Sequence, residues 1–217
     1  MNMINLSKYI SNKISKELRL DTESNEVIAY GTFALLQSLI SIFVTSVIGY
    51  LLNILVEVLI ISFSVSILRK YSGGVHATSP NRCLIIGTFF CIIQGLISKK
   101  LFLLINFNTL IILAILSFIF TYYTVYKLAP VDSKNKPIKN LNKRSRLKVK
   151  SINVVTLYLV LFSFGIYYHN ILPLSYSISL LLGTLWQGFT LTYIGNLLLK
   201  NIDNFLNRLW RGFYEKA

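Results

Sequence analysis

Acidic side chains are scarce in this chain: eight Asp and Glu stand against 22 Lys and Arg among 217 residues, for a formal net charge of +14. In a soluble protein that balance would point to nucleic acid or anionic lipid, so the placement of the bases decides more than their sum. Cysteine and histidine are sparser still, with two of each. Two cysteines exclude a disulfide framework. A metal at the one stretch where a histidine and a cysteine fall close together would need more ligands than that stretch offers, so neither a metal nor another cofactor is expected. The GxSxG, HExxH and Walker A patterns are missing, and there is no internal repeat.

What the chain does have is apolar length. Hydrophobic residues make up 54% and the mean hydropathy is +0.60, above the roughly 45–50% apolar share usual for soluble proteins. Windows such as Val27 to Leu52, Thr109 to Val125 and Ser177 to Leu199 are nearly free of charge and reach the length of about 20 residues that a bilayer span requires. The pattern predicts an all-α, polytopic integral membrane protein, a single domain over residues 1–217 with about six transmembrane helices. The expected spans are Val27–Ile48, Leu51–Leu68, Pro80–Ile97, Leu101–Tyr126, Ile152–Tyr168 and Leu174–Leu199. The third is short and the fourth is interrupted by Asn106 and Asn108, so four full spans plus a re-entrant or interfacial pair is the alternative.

With six spans, 20 of the 22 Lys and Arg fall on one face and two, Lys99 and Lys100, on the other. By the positive-inside rule the crowded face is cytoplasmic, placing both termini and the stretches 69–83 and 127–150 inside. A soluble nucleic-acid binder would not show this alternation. No cleavable signal peptide is expected, since the spans themselves direct insertion. Residues 1–24 include an amphipathic helix, with Leu6, Ile10, Ile14 and Leu18 at four-residue spacing, suited to lie beside anionic lipid or on the protein's own cytoplasmic face. Residues 127–150 form a basic loop with nine Lys and Arg and a single acid, Asp132. It reads as a topogenic anchor and lipid contact, with capture of an acidic substrate segment as a second use. Glu57, inside an apolar run, is either a relay or substrate contact or a neutral, hydrogen-bonded packing residue. Trp210, Phe213 and Tyr214 suit the membrane interface, Cys91 reads as a packing residue and His169 as a polar interface group.

The polar interruption from Arg69 to Cys83 gathers Gly73, Gly74, His76, Pro80 and Cys83 within fifteen positions. On an unbroken helix His76 and Cys83 would lie about 10.5 Å apart along the axis, whereas proton transfer needs heavy atoms about 3 Å apart. The two can cooperate only if the backbone folds back. Gly73 and Gly74 permit such a turn, and Pro80 excludes a continuous helix. Ser79 as N-cap and Pro80 as first helical residue place Cys83 in the first turn of the next helix, where the dipole, free N–H groups and Arg82 favour a thiolate. His76 can then hold the proton and return it to a leaving amine. Spacing alone leaves this base and nucleophile pair beside a plainer reading, a small packing residue and a polar interface group.

The run Arg69-x-Tyr71-Ser72-Gly73-Gly74-x-His76 followed by Arg82-Cys83, with Ala129-Pro130 and Lys136-Pro137-Ile138 further on and this span pattern, resembles the accessory gene regulator protein B (AgrB) family over nearly the whole chain. The resemblance implies a bacterial cell-membrane cysteine endopeptidase that processes an AgrD-like quorum-sensing propeptide. Its acidic C-terminal part would be removed and a thiolactone or lactone ring closed. Cys83 would be the nucleophile and His76 the general base and acid. Arg69 and Arg82 could hold the acidic tail or the oxyanion, with Ser72, Gly73 and Gly74 beside them. The family motif names no third catalytic member; by topology Asp132 is the best acid, with Glu57, Ser72 and Thr78 as other partners for His76. A homodimer is also implied. The competing function is a non-enzymatic membrane exporter of a peptide or solute, with Asn53, Glu57 and Gln94 lining a polar path.

Overall fold

A computed structural model describes residues 3–75, 77–132, 138 and 140–214, with side chains through residue 209. Eight helices and no strand occur among the described residues, an all-α polytopic membrane protein. The chain divides into two compact units, Met1–Val44 and Thr45–Ala217.

The first unit holds α1 (Met3–Glu17) and most of α2 (Thr22–Leu51). The amphipathic helix forms as expected, but its buried side is a stripe of three serines at four-residue spacing, Ser7, Ser11 and Ser15, while Ile4, Ile14 and Leu18 are exposed. Polar bonds tie α1 to α2: Asn25 Nδ2 donates to Asn12 Oδ1 at 2.7 Å and Ser15 Oγ to Asn25 Oδ1 at 3.1 Å.

The second unit is a bundle of α3 (Leu55–Ser72), α4 (Pro80–Leu104), α5 (Phe107–Leu128), α6 (Leu141–Tyr167), α7 (Leu174–Leu191) and α8 (Tyr193–Tyr214), with the last two turns of α2. Helix α7 is its axis, packing on α3, α4, α5, α6 and α8. Where lipid replaces water, helices gain little from burying apolar surface against each other, and association rests on close packing and interhelical hydrogen bonds. Both are present. A Cβ on Gly183 would overlap Ser64 Oγ, so α7 and α3 touch nearly backbone to backbone. Ser175 Oγ donates to Glu57 Oε1 at 2.9 Å, Ser179 Oγ to Ser98 Oγ at 2.8 Å and Tyr158 OH to the Ser64 carbonyl at 2.9 Å. Glu57 is thus buried and hydrogen-bonded, one of its two expected states.

Among the described residues four helices are long and apolar enough to cross a membrane: Thr22–Leu51, Pro80–Leu104, Phe107–Leu128 and Leu141–Tyr167. The two segments whose spans looked weakest differ in outcome: Pro80–Ile97 lies within α4, which runs 25 residues to Leu104, whereas Leu101–Tyr126 is broken at Ile105 and Asn106, its first four residues ending α4 and the rest lying in the 22-residue α5. Of the four helices outside this set, α3 and α7 have 18 residues each and so are about 27 Å long; α3 carries Glu57, Arg69 and Lys70, and α7 a row of buried Ser, Thr and Gln. The segment 174–199, expected to be one span, breaks at Thr192, whose Oγ1 accepts from Gly195 N at 3.1 Å and caps the start of α8. The second part of the basic loop also differs. Residues 141–150 are the first turns of α6, begun by Asn140, whose side chain accepts from Lys143 N at 3.2 Å.

Within this unit the connections separate into two ends. Lys99 Nζ reaches the Asn53 carbonyl at 2.6 Å, placing Lys99 beside the α2–α3 turn. The α3–α4 and α5–α6 connections meet at the opposite end, where Gly73 pairs with Val131.

Candidate active site

Helix α3 ends where Gly73 takes φ +73°, a left-handed conformation that favours glycine, and Gly74 follows at φ +136°. Gly73 forms an isolated parallel bridge with Val131, closed by Val131 N donating to the Ser72 carbonyl at 2.9 Å. A Cβ on Gly73 would collide with the Val131 carbonyl, so glycine is required for space as well as for φ. From the other side Gln187, fully buried on α7, donates through Nε2 to Ser72 Oγ and to the Gly73 carbonyl, both at 3.0 Å. Arg69, one turn before the end of α3, bends back so that Nη2 donates to the Val75 carbonyl. Its Nε is buried with no hydrogen-bond partner among the described residues, and Cys83 lies within electrostatic reach of the guanidinium.

Cys83 stands as expected at the start of α4. Ser79 is the N-cap residue, with φ −127° and ψ 140°, Pro80 is the first helical residue, and Cys83 N makes the first backbone bond, to the Ser79 carbonyl at 3.0 Å. The Ser79 side chain makes no cap bond. The segment is pinned instead by Asp203 of α8. Asp203 Oδ2 accepts from Thr78 N at 3.0 Å and from Thr78 Oγ1 at 2.7 Å, while Oδ1 accepts from Arg82 Nε at 2.6 Å. Arg82 also donates to Thr78 Oγ1 and, at 3.2 Å, to Asn207 Oδ1. Burial alone would push the Asp203 carboxyl up, but the hydrogen bonds from Arg82 and Thr78 outweigh it and hold the carboxyl below its usual range.

Arg69, Ser72, Gly73, Gly74 and Cys83 are therefore gathered where α3 ends and α4 begins, together with Gln187. The Arg82 guanidinium is turned to Asp203, Asn207 and Thr78. Asp132 follows the Val131 that pairs with Gly73, and its carboxylate meets Arg144 at 3.4 Å in a partly exposed ion pair. His76, Lys136 and Pro137 lie outside the described residues. Among the described residues no three His, Cys, Asp or Glu gather as a metal site. Sequence reasoning missed Asp203 and Gln187. The available signal was rarity: Asp203 is the sole acid between Asp132 and Glu215, and Gln187 is one of three glutamines.

Chemically, the arrangement offers a thiol in the first turn of a helix, a half-buried guanidinium near it, and a glycine turn whose backbone is fixed from both sides. Such surroundings favour negative charge at the start of α4.

The family model of accessory gene regulator B matches residues 7–191. The chain is 48% identical over 210 residues to the AgrB-like protein of Clostridium perfringens strain SM101, covering 94% of this chain and 98% of that protein. AgrB-like protein 2 of Clostridium perfringens strain 13 is 46% identical over 210 residues, with the same coverage. The accessory gene regulator protein B of Staphylococcus intermedius is 34% identical over 149 residues, covering 68% of this chain and 71% of that protein. No solved structure matches.

Proposed function

The chain belongs to the accessory gene regulator B family, with the role in quorum-sensing peptide processing which that membership carries, and from that premise we propose that it is a membrane cysteine endopeptidase acting on an AgrD-like propeptide. The observation that carries the reading is the position of Cys83, in the first turn of α4 and within electrostatic reach of the half-buried Arg69. His76 takes the Cys83 proton and Sγ attacks the carbonyl carbon of the scissile bond, giving a tetrahedral oxyanion. That oxyanion collapses, the C–N bond breaks, His76 gives the proton to the leaving amine, and the propeptide remains on Cys83 as a thioester. A thiol or hydroxyl of the propeptide then attacks the same carbonyl. Its proton passes through His76 to the departing Cys83 sulfur, and a thiolactone or lactone closes.

Arg69 is the cation for the thiolate and the developing oxyanion. Its orphan Nε is a donor held in reserve, since a buried donor without a partner costs about 1–3 kcal/mol until something accepts from it. Arg82 acts through Asp203, fixing the Thr78–Arg82 segment that leads into Cys83. Asp132 is the acid we assign to orient His76, its position following from the pairing of Val131 with Gly73. Charge distribution supports a cytoplasmic site, because Arg69, Lys70, Arg82 and the basic start of α6 belong to the end of the bundle opposite Lys99. That basic end suits the anionic lipid surface and the acidic tail of the substrate.

The test is cleavage of a synthetic AgrD-type propeptide by the purified protein in lipid vesicles, with Cys83→Ala and His76→Ala as variants. Both should abolish cleavage while the protein still inserts and binds the propeptide. Cleavage at the wild-type rate by Cys83→Ala would refute the peptidase and favour the exporter.

A further inference from the structure

Gln94, midway along α4, is more than nine-tenths buried, yet neither its amide nitrogen nor its carbonyl oxygen has a hydrogen-bond partner among the described residues. It lines a cavity of about 400 Å³ whose other walls are Phe120 of α5 and Leu182, Leu185, Trp186 and Phe189 of α7. Leaving both ends of a carboxamide unmet in apolar surroundings is costly, so the residue points to a ligand.

The cavity opens on the face of α4 that carries Cys83. At about 100° per residue, Cys83, Gly87, Phe90 and Gln94 fall within about 60° of arc on one face of α4. Gly87 opens that face, since a Cβ there would meet nothing within 4 Å. Phe90 stacks on Trp186 with centroids 4.1 Å apart, linking the face to the cavity wall. On the α7 side, Trp186 flanks Gln187, which holds Ser72 and Gly73.

We propose that this track from Cys83 to Gln94 is the subsite for the acyl part of the substrate, an extended apolar peptide segment anchored by Gln94 to one of its peptide groups. The inference rests on the peptidase reading. Hydrogen-bond complementarity selects the occupant. A peptide group both donates and accepts, as the carboxamide requires, whereas a lipid ester only accepts and an acyl chain does neither. A lone water needs two to four polar partners, and the walls are Phe, Leu and Trp. A helix of a second copy has its mid-helix backbone groups already paired. The absence of charge in the walls selects the apolar acyl part rather than an acidic tail. Eleven residues of α4 span about 16 Å, which an extended chain at about 3.3 Å per residue covers in about five residues. Gln94 therefore meets the substrate about five residues before the scissile bond. With this segment seated, the groove excludes water from one side of the thioester, favouring ring closure over hydrolysis.

The experiment uses the full-length protein in vesicles and a synthetic AgrD-type propeptide carrying photoreactive benzoylphenylalanine at the fifth residue before the scissile bond. Illumination should crosslink it to α4 or α7 near Gln94 and Leu185. Gln94→Met, which deletes both polar atoms at nearly constant volume, should raise KM about three- to tenfold, the worth of one or two hydrogen bonds, with kcat little changed. The thermal midpoint should hold or rise, because an unmet polar group has been removed. Normal wild-type cleavage with no crosslink on those helices, or an unchanged KM in Gln94→Met, overturns the subsite and leaves the peptidase standing. Labelling of the groove by a photoactivatable phospholipid that the propeptide does not displace also overturns it. A wild-type protein that forms no acyl-enzyme overturns both.

Discussion

The residues that matter most at the site are the ones whose side chains have no freedom to be anything else. Gly73 combines φ +73° with a backbone contact to Val131 that leaves no room for a Cβ, so Gly73→Ala should cost both left-handed strain of about 1–2 kcal/mol and the bridge itself. Cleavage should fall at least tenfold, whereas Gly87→Ala, at an open position on the same face of α4 as Cys83, should fold as the wild type does. Asp203 is similarly constrained. Its folded carboxyl lies below the ordinary value, so the stability it contributes is present above the unfolded value of about 3.9 and is lost as pH falls through the lower folded value. Thermal midpoints in detergent between pH 6 and 3 should fall more steeply for the wild type than for Asp203→Asn. At neutral pH the same variant should lower kcat with KM nearly unchanged, because Asp203 touches the Thr78–Arg82 segment and not the substrate. A parallel pH profile for the two proteins would sink this role.

The elements were legible to the extent that their signals are local. Apolar runs announced α2, α4 and α5, and Ser79-Pro80 announced where α4 begins, since N-cap position and a fixed proline φ are properties of two adjacent residues. The break at Thr192 carries no proline and is set by a single side-chain bond to Gly195 N, which a hydrophobicity window passes over. The start of α6 was hidden for the opposite reason. Its first ten residues hold five Lys and Arg, which read as loop by composition, although long basic side chains are good helix formers. The amphipathic spacing in α1 correctly indicated a helix but not which face would be buried, because polar bonding to Asn25 recruits the serine side. If Thr192 sets the break, Thr192→Val should loosen the start of α8 and with it the Asp203 anchor. Hydrogen exchange should then rise in both α8 and residues 77–82; a rise confined to α8 would show the anchor to be independent of the break.

At the scale of the molecule, the candidate site is assembled from parts far apart in the chain. Its glycine turn comes from one connection, its bridge partner from residue 131, and its anchors from Gln187 and Asp203. The stretch 69–83 could be recognised in the sequence because polarity, glycine and the His–Cys spacing coincide there. The Arg82–Asp203 pair spans 121 positions, and no periodicity reports such a separation. Topology is testable at the same scale. Lys99→Cys and Lys100→Cys, in an otherwise cysteine-free background, should react with a membrane-impermeant maleimide added outside intact cells, and Lys143→Cys only after the membrane is opened. Labelling of all three from the same side would contradict the alternation of charge.

In the proposed mechanism Cys83 carries the substrate as a thioester. The measurement that tests it most directly is the intact mass of the protein after rapid acid quench with the propeptide. The expected result is an adduct equal to the propeptide without its C-terminal part, mapped to Cys83, released by hydroxylamine, and missing in Cys83→Ser and His76→Ala. An active wild type that never shows the adduct, or an adduct that persists in Cys83→Ala, would contradict it.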